Sequence, residues 1–121
     1  MQEDAFGSTF AVDVSSLELE PEDLDPAQIV AGSPTLGNRT LFESDDGRVI
    51  RGVWECTPGV SRDVEQDELF VVIAGRASVA VDGGPTLLLA PGVVGILERG
   101  AKTVWTVTET LRKVYQISMP D

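Results

Sequence analysis

Histidine occurs nowhere in the 121 residues, which removes the commonest metal ligand and the commonest general base of neutral-pH catalysis. Cysteine occurs once, at Cys56, so no internal disulfide can form and a reducing, cytoplasmic setting is expected. Basic residues are scarce: 9 Lys and Arg stand against 20 Asp and Glu, a formal net charge of −11. Phosphate contacts need clustered Lys and Arg, so a nucleic-acid partner is not expected, nor attraction to an anionic membrane. No apolar run approaches the roughly 18–20 residues that span a bilayer. The start, Met1-Gln2-Glu3-Asp4, lacks the basic region of a signal peptide. A ten-residue helical period is also missing.

What is present suffices for one domain, with a hydrophobic content of 42% to build its core. The acidity is concentrated at the front. Glu3, Asp4, Asp13, Glu18, Glu20, Glu22, Asp23 and Asp25 meet no Lys or Arg before Arg39, and Pro21, Pro26 and Pro34 disfavour a long helix there. Residues 1–38 read as an acidic N-terminal arm draped over the barrel or over a partner subunit, or as a partly disordered tail. Within it, Phe10 to Val14 is a candidate short strand, and Leu17, Leu19 and Leu24 are candidates to pack onto the domain.

Residues 39–121 read as β throughout. Candidate strands are Thr40 to Ser44, Val49 to Glu55, Glu68 to Ile73, Ala77 to Val81, Thr86 to Leu89, Val93 to Leu97, Thr103 to Val107 and Leu111 to Ile117. Turn signals separate them at Asp45-Asp46-Gly47, Thr57-Pro58-Gly59, Asp82-Gly83-Gly84 and Pro91-Gly92. Short strands with such punctuation predict an all-β fold, a small antiparallel β-barrel or jelly roll. Such a fold leaves strand edges, and a homodimer is expected to bury one.

The spacing of these turns resembles the cupin superfamily. Glu68-Leu69-Phe70-Val71-Val72-Ile73-Ala74-Gly75 matches the Glu, six residues, Gly ending of the first cupin motif, and Pro91-Gly92 followed by Gly100 resembles the approach to the second. Gly52 to Gly59, Trp105-Thr106-Val107 and Glu109 to Tyr115 look like a compact subfamily that includes the ureidoglycine aminohydrolase and ethanolamine-utilisation cupin domains. The resemblance implies a metal site, but the positions of its histidines fall on Ser61 to Val64 and near Thr103. Only Glu68 remains, and Glu68 with Asp63 offers no more than a weak oxygen pair for a hard cation. No metal and no other cofactor is expected.

Alternation along barrel strands would turn Glu68, Phe70 and Val72 inward, with Thr103, Trp105 and Val107 on the inward face of a facing strand. A carboxylate beside aromatic rings should have a raised pKa and can serve as a general acid or base; alternatively Glu68 pairs with Arg62 or Lys102 at the barrel mouth. Tyr115 is the second catalytic candidate, or a packed aromatic. Arg62, Asp63, Phe70, Thr103, Trp105 and Trp54 are the candidate ligand-binding residues, the tryptophans being equally readable as core. Cys56 reads as a small buried apolar residue without a histidine to activate it. Arg112 and Lys113 read as a salt-bridged surface pair, with the acidic arm as a source of partners, or as an anion site.

Two functions follow from the resemblance and these residues. One is a metal-independent cupin-like enzyme moving a proton on a small metabolite, as a lyase, isomerase or cyclase. The other is a binding or regulatory cupin that holds a small molecule without transforming it.

Overall fold

The computed structural model describes residues 6–120; the acidic start Met1 to Asp4 lies outside the described residues. Among the described residues nine strands form one curled antiparallel sheet: β1 (Glu20–Glu22), β2 (Ile29–Gly32), β3 (Leu36–Glu43), β4 (Val49–Cys56), β5 (Gly59–Val64), β6 (Asp67–Val81), β7 (Thr86–Leu89), β8 (Val94–Leu97) and β9 (Lys102–Ser118). A 3₁₀ turn at Pro26–Gln28 is capped by the Asp25 carboxylate. The all-β antiparallel barrel expected from the turn spacing is what the chain adopts. Among the described residues no helix is long and apolar enough to cross a membrane.

The long strand β9 organises the sheet, pairing with β4, β5 and β6. Two pairs of expected strands are each one element. Glu68 to Ile73 and Ala77 to Val81 belong to β6, and Thr103 to Val107 and Leu111 to Ile117 belong to β9. The irregularity that looks like a turn in the sequence is a β-bulge: the β6–β9 register shifts around Ala74 and Arg76. Gly75 makes it possible. Its φ is +90°, and a Cβ there would sit 2.1 Å from the Thr110 carbonyl oxygen. The bulge also switches the inward parity, from Glu68, Phe70 and Val72 before it to Ala77 and Val79 after it.

The segment Gly59–Val64, read from sequence as a closing turn followed by lost ligand positions, is strand β5. The candidate strand Phe10 to Val14 is not formed. The Asp13 carboxylate instead accepts from the Ser15 amide at 2.9 Å, a local bond that turns the chain. Before residue 39 the chain is joined to the barrel at several points. β1 pairs with β3, β2 pairs with β5, and β3 itself runs through residue 38. Leu17, Leu19 and Leu24 are partly buried.

Among the described residues, arginines hold the arm by its backbone. Arg112 donates to the carbonyls of Val14 (2.8 Å) and Leu17 (2.9 Å) while its Nε bonds Glu55 at 2.9 Å. Arg39 donates to the Glu18 carbonyl and lies over the Phe6 ring. Val53, which alternation turns away from the barrel interior, is nonetheless 0% exposed. The inner core gathers Phe70, Val72, Val79, Leu89, Leu97, Val107 and Leu111.

Candidate functional site

A hollow of about 380 Å³ opens at one end of the barrel, above the inward faces of β3, β4, β5, β6 and β9. The register explains which side chains meet there. Trp54 pairs with both Asn38 and Lys113, Gly52 and Phe70 pair with Tyr115, and Ser61 and Asp63 pair with Trp105 and Thr103. Partners in register point to the same face, so these groups share the interior.

At the base of the hollow, Lys113 Nζ donates to Glu68 Oε2 at 2.7 Å. Both are buried, Lys113 at 5% and Glu68 at 7% exposure. The partner of Glu68 is therefore neither Arg62 nor Lys102, and Lys113 is no surface residue. Its ammonium also lies 4.5 Å from the Trp54 ring centroid, 4.6 Å from Phe70 and 4.7 Å from Trp105. Contact with aromatic faces offsets part of the lost hydration of the cation. Burial pushes the Glu68 carboxyl above its usual range, against the opposing pull of Lys113.

A second buried carboxylate lies beside this pair. Glu65, in the connection between β5 and β6, is 5% exposed. Its Oε2 accepts from the Thr103 hydroxyl at 2.6 Å and from the Trp105 indole N–H at 3.0 Å. On the opposite wall, the Tyr115 hydroxyl donates to Asn38 Oδ1 at 2.6 Å, and burial pushes its pKa up to about 12. Gly52 leaves room for that ring: a Cβ there would fall 2.6 Å from the phenol oxygen. Asp63 lies at the rim, its carboxyl raised by partial burial and by the neighbouring Glu65. Arg62 is exposed and alternates to the other face of β5, opposite Val104; its carbonyl accepts from Gln28 Nε2 at 3.0 Å.

The structure thus brings Glu68, Tyr115, Trp105 and Trp54 around one hollow, with Asp63 and the exposed Arg62 on its lining; Phe70 and Thr103 lie behind that lining, against Lys113 and Glu65. Among the lining residues not read from the sequence as belonging there are Lys113, Glu65 and Asn38. Lys113 had a usable signal, since it shares the parity of Trp105 and Tyr115 on one strand. Glu65 had none, because it lies between strands where no alternation applies.

An antiparallel barrel with polar groups converging at one mouth is an architecture that cupins share. The match to the family model described as the EutQ-like cupin domain covers residues 43–115, and the chain belongs to that family. Among solved structures, a DUF861-family protein of unknown function from Pseudomonas syringae pv. tomato superposes with a TM-score of 0.79 at 28% identity. The alignment covers 90% of this chain but 47% of that one, so the chain spans about half of that protein's length. The Clostridium difficile EutQ protein gives a TM-score of 0.63 at 22% identity over 74% of this chain and 66% of its own. Ectoine synthase from P. lautus gives 0.61 at 20% identity, over 82% and 70%. At those last two identities it is the fold that is shared. No curated protein matches in sequence.

The metal that the cupin fold often carries does not suit these residues. Imidazole is absent, burial pushes the Cys56 thiol up to about 11, and the motif glutamate already holds an ammonium at 2.7 Å. Among the described residues no three His, Cys, Asp or Glu side chains gather as a cation-holding group.

Proposed function

We propose that the hollow binds a small metabolite and that Glu68, working with Lys113, moves a proton on it without a metal ion. The observation that carries this reading is the buried Glu68–Lys113 pair, 2.7 Å apart at the base of a hollow that a small molecule fits. A carboxylate lifted by burial is a stronger base than an exposed one. The ammonium beside it supplies fixed positive charge for an oxyanion that forms as the proton leaves, a stabilisation worth most where water is excluded. Tyr115 stays protonated at neutral pH, and its hydrogen is committed to Asn38. It orients a ligand through its oxygen. Proton transfer of this kind opens lyase, isomerase and cyclase reactions alike, and a synthase is known on the same fold.

A cytoplasmic homodimer belongs to the same reading. The single cysteine is buried and free. Leu69 and Ile96, paired across β6 and β8, are exposed beside Val94 and offer an apolar outer face for a second copy.

The test is deuterium exchange. The protein is incubated in D₂O with pooled small metabolites, and carbon-bound protons are followed by NMR. Wild type is expected to exchange or convert one metabolite, and Glu68→Gln to bind it without doing so. Undiminished exchange in Glu68→Gln would overturn the assignment of the base. Binding by wild type with no exchange and no product would make this a binding or regulatory cupin instead.

A further inference from the structure

The carboxylate that the proton-transfer reading leaves unused is Glu65. It is 5% exposed, yet no ion pair reaches it among the described residues, and the Lys113 ammonium is committed to Glu68. Its two donors, the Thr103 hydroxyl and the Trp105 indole, are neutral and both bond Oε2. Oε1 has no protein donor among the described residues. A buried carboxylate without a counter-charge is costly, and an acceptor left open in a lined hollow is completed by what enters it.

The surroundings say which charge would enter. Glu22 and Asp63 line the same hollow as Glu65, and burial raises the carboxyls of both. The positive charge of Lys113 is already matched by Glu68, and the one other cation on the lining among the described residues, Arg62, is exposed to water at a position that alternates to the outer face of β5. An anionic ligand would meet three carboxylates there, whereas a cation would relieve them.

We infer that Glu65 anchors the ligand and that the ligand presents it an amine, as a primary ammonium N–H. This rests on the barrel-hollow reading above and adds the chemical class of what the hollow takes. Glu65 Oε2 is held by Thr103 and Trp105, so the carboxylate is preorganised with Oε1 as the remaining acceptor. The reacting end of the ligand then lies toward Glu68 and Lys113, three residues further along the chain and beyond.

The experiment compares n-butylamine, 1-butanol and butyrate, which share a chain and differ in charge, by calorimetric titration and thermal shift at pH 7. Butylamine is expected to bind and raise the melting temperature, and the other two are not. In Glu65→Gln, whose amide oxygen still accepts from Thr103 and Trp105, the amine Kd should rise by about tenfold or more. Equal amine affinity in Glu65→Gln would overturn the inference, as would preference for 1-butanol or butyrate in wild type. If Glu65→Gln does not fold, the wild-type preference among the three probes decides. Butyrate binding that disappears in Lys113→Met would overturn the amine assignment while leaving the hollow as the ligand site. No binding by any probe also overturns it, and the deuterium-exchange experiment then judges the proton-transfer reading separately.

Discussion

Lys113 is the residue whose environment differs most from what its type prefers. Its ammonium is held by one carboxylate and by the rings of Trp54, Phe70 and Trp105, with 5% of the residue exposed. Removing one partner of a buried pair leaves the other charge unpaired, which costs about 3–5 kcal/mol, whereas replacing both by uncharged groups of similar shape is often close to neutral. Lys113→Met is therefore expected to lower stability by about 3–5 kcal/mol in denaturant titration, and Glu68→Gln combined with Lys113→Met to recover most of it. A single-variant loss below about 1 kcal/mol would show that Glu68 takes up a proton without cost and that the pair is not a stable ion pair. The sequence exposes part of this arrangement. Glu68, Phe70, Thr103 and Trp105 follow from strand alternation, because period two needs no tertiary information. Lys113 was hidden by its neighbour: Arg112-Lys113 looks like an exposed basic pair, and only the parity shared with Tyr115 separates the one that faces inward. Glu65 was hidden more completely, since its burial depends on where the β5–β6 connection folds back.

Among the elements, β6 and β9 show why strand boundaries were harder to read than strand existence. Gly75 resembles a turn residue, and the chain does change course there, but pairing with β9 continues on both sides of the bulge. Several turns and the glycine type of bulge share a positive φ, and sequence alone does not tell them apart. The arm raises a related point. Its acidic composition suggested ion pairs, and among the described residues a guanidinium also holds it by the backbone carbonyls of Val14 and Leu17. Backbone acceptors leave no compositional trace. Charge-assisted bonds of this kind contribute about 1.5–3 kcal/mol each, less where solvent reaches them. Arg112→Ala is expected to lower stability by about 2 kcal/mol. It should also speed amide hydrogen exchange across residues 14–19, while exchange in β6 changes only with global stability. Arg112→Lys keeps the charge but loses the fork, and should protect the arm only partly. Unchanged exchange in the arm of Arg112→Ala would show that β1 and the leucines dock it without the arginine.

At the scale of the whole molecule, the absence of histidine and the excess of acid make stability against pH unusually simple to interpret. Between pH 7 and pH 8 no side chain with an ordinary pKa titrates, because histidine is absent and Cys56 is pushed up to about 11. Melting temperature should be nearly flat there. Below pH 7 the carboxylates decide. Glu68 is raised first by burial, Glu22 by burial, and Asp63 by burial and then by Glu65. A group with a raised folded pKa binds more protons folded than unfolded. Its contribution is fully present below the unfolded value and is lost as pH rises through the folded one. All three therefore favour the fold on acidification, and neutralising part of the −11 net charge relieves self-repulsion in the same direction. Asp13 and Asp46 act oppositely. Hydrogen bonds from Ser15, and from the Arg48 amide with Ser44, lower their carboxyls, so their contribution is lost only as pH falls through values below the usual carboxylate range. Melting followed by tryptophan fluorescence in dilute, low-salt buffer should show Tm level from pH 8 to 7 and rising from 7 toward 5. Collapse is expected only at more acid pH. Added salt should raise Tm at pH 7 more than at pH 5, since screening replaces charge neutralisation. A Tm that falls steadily from pH 7 to 5 would instead mean that the ionised Glu68–Lys113 pair outweighs every buried-carboxylate and repulsion effect combined. The base proposed for proton transfer would then be stabilising the fold chiefly as an ion.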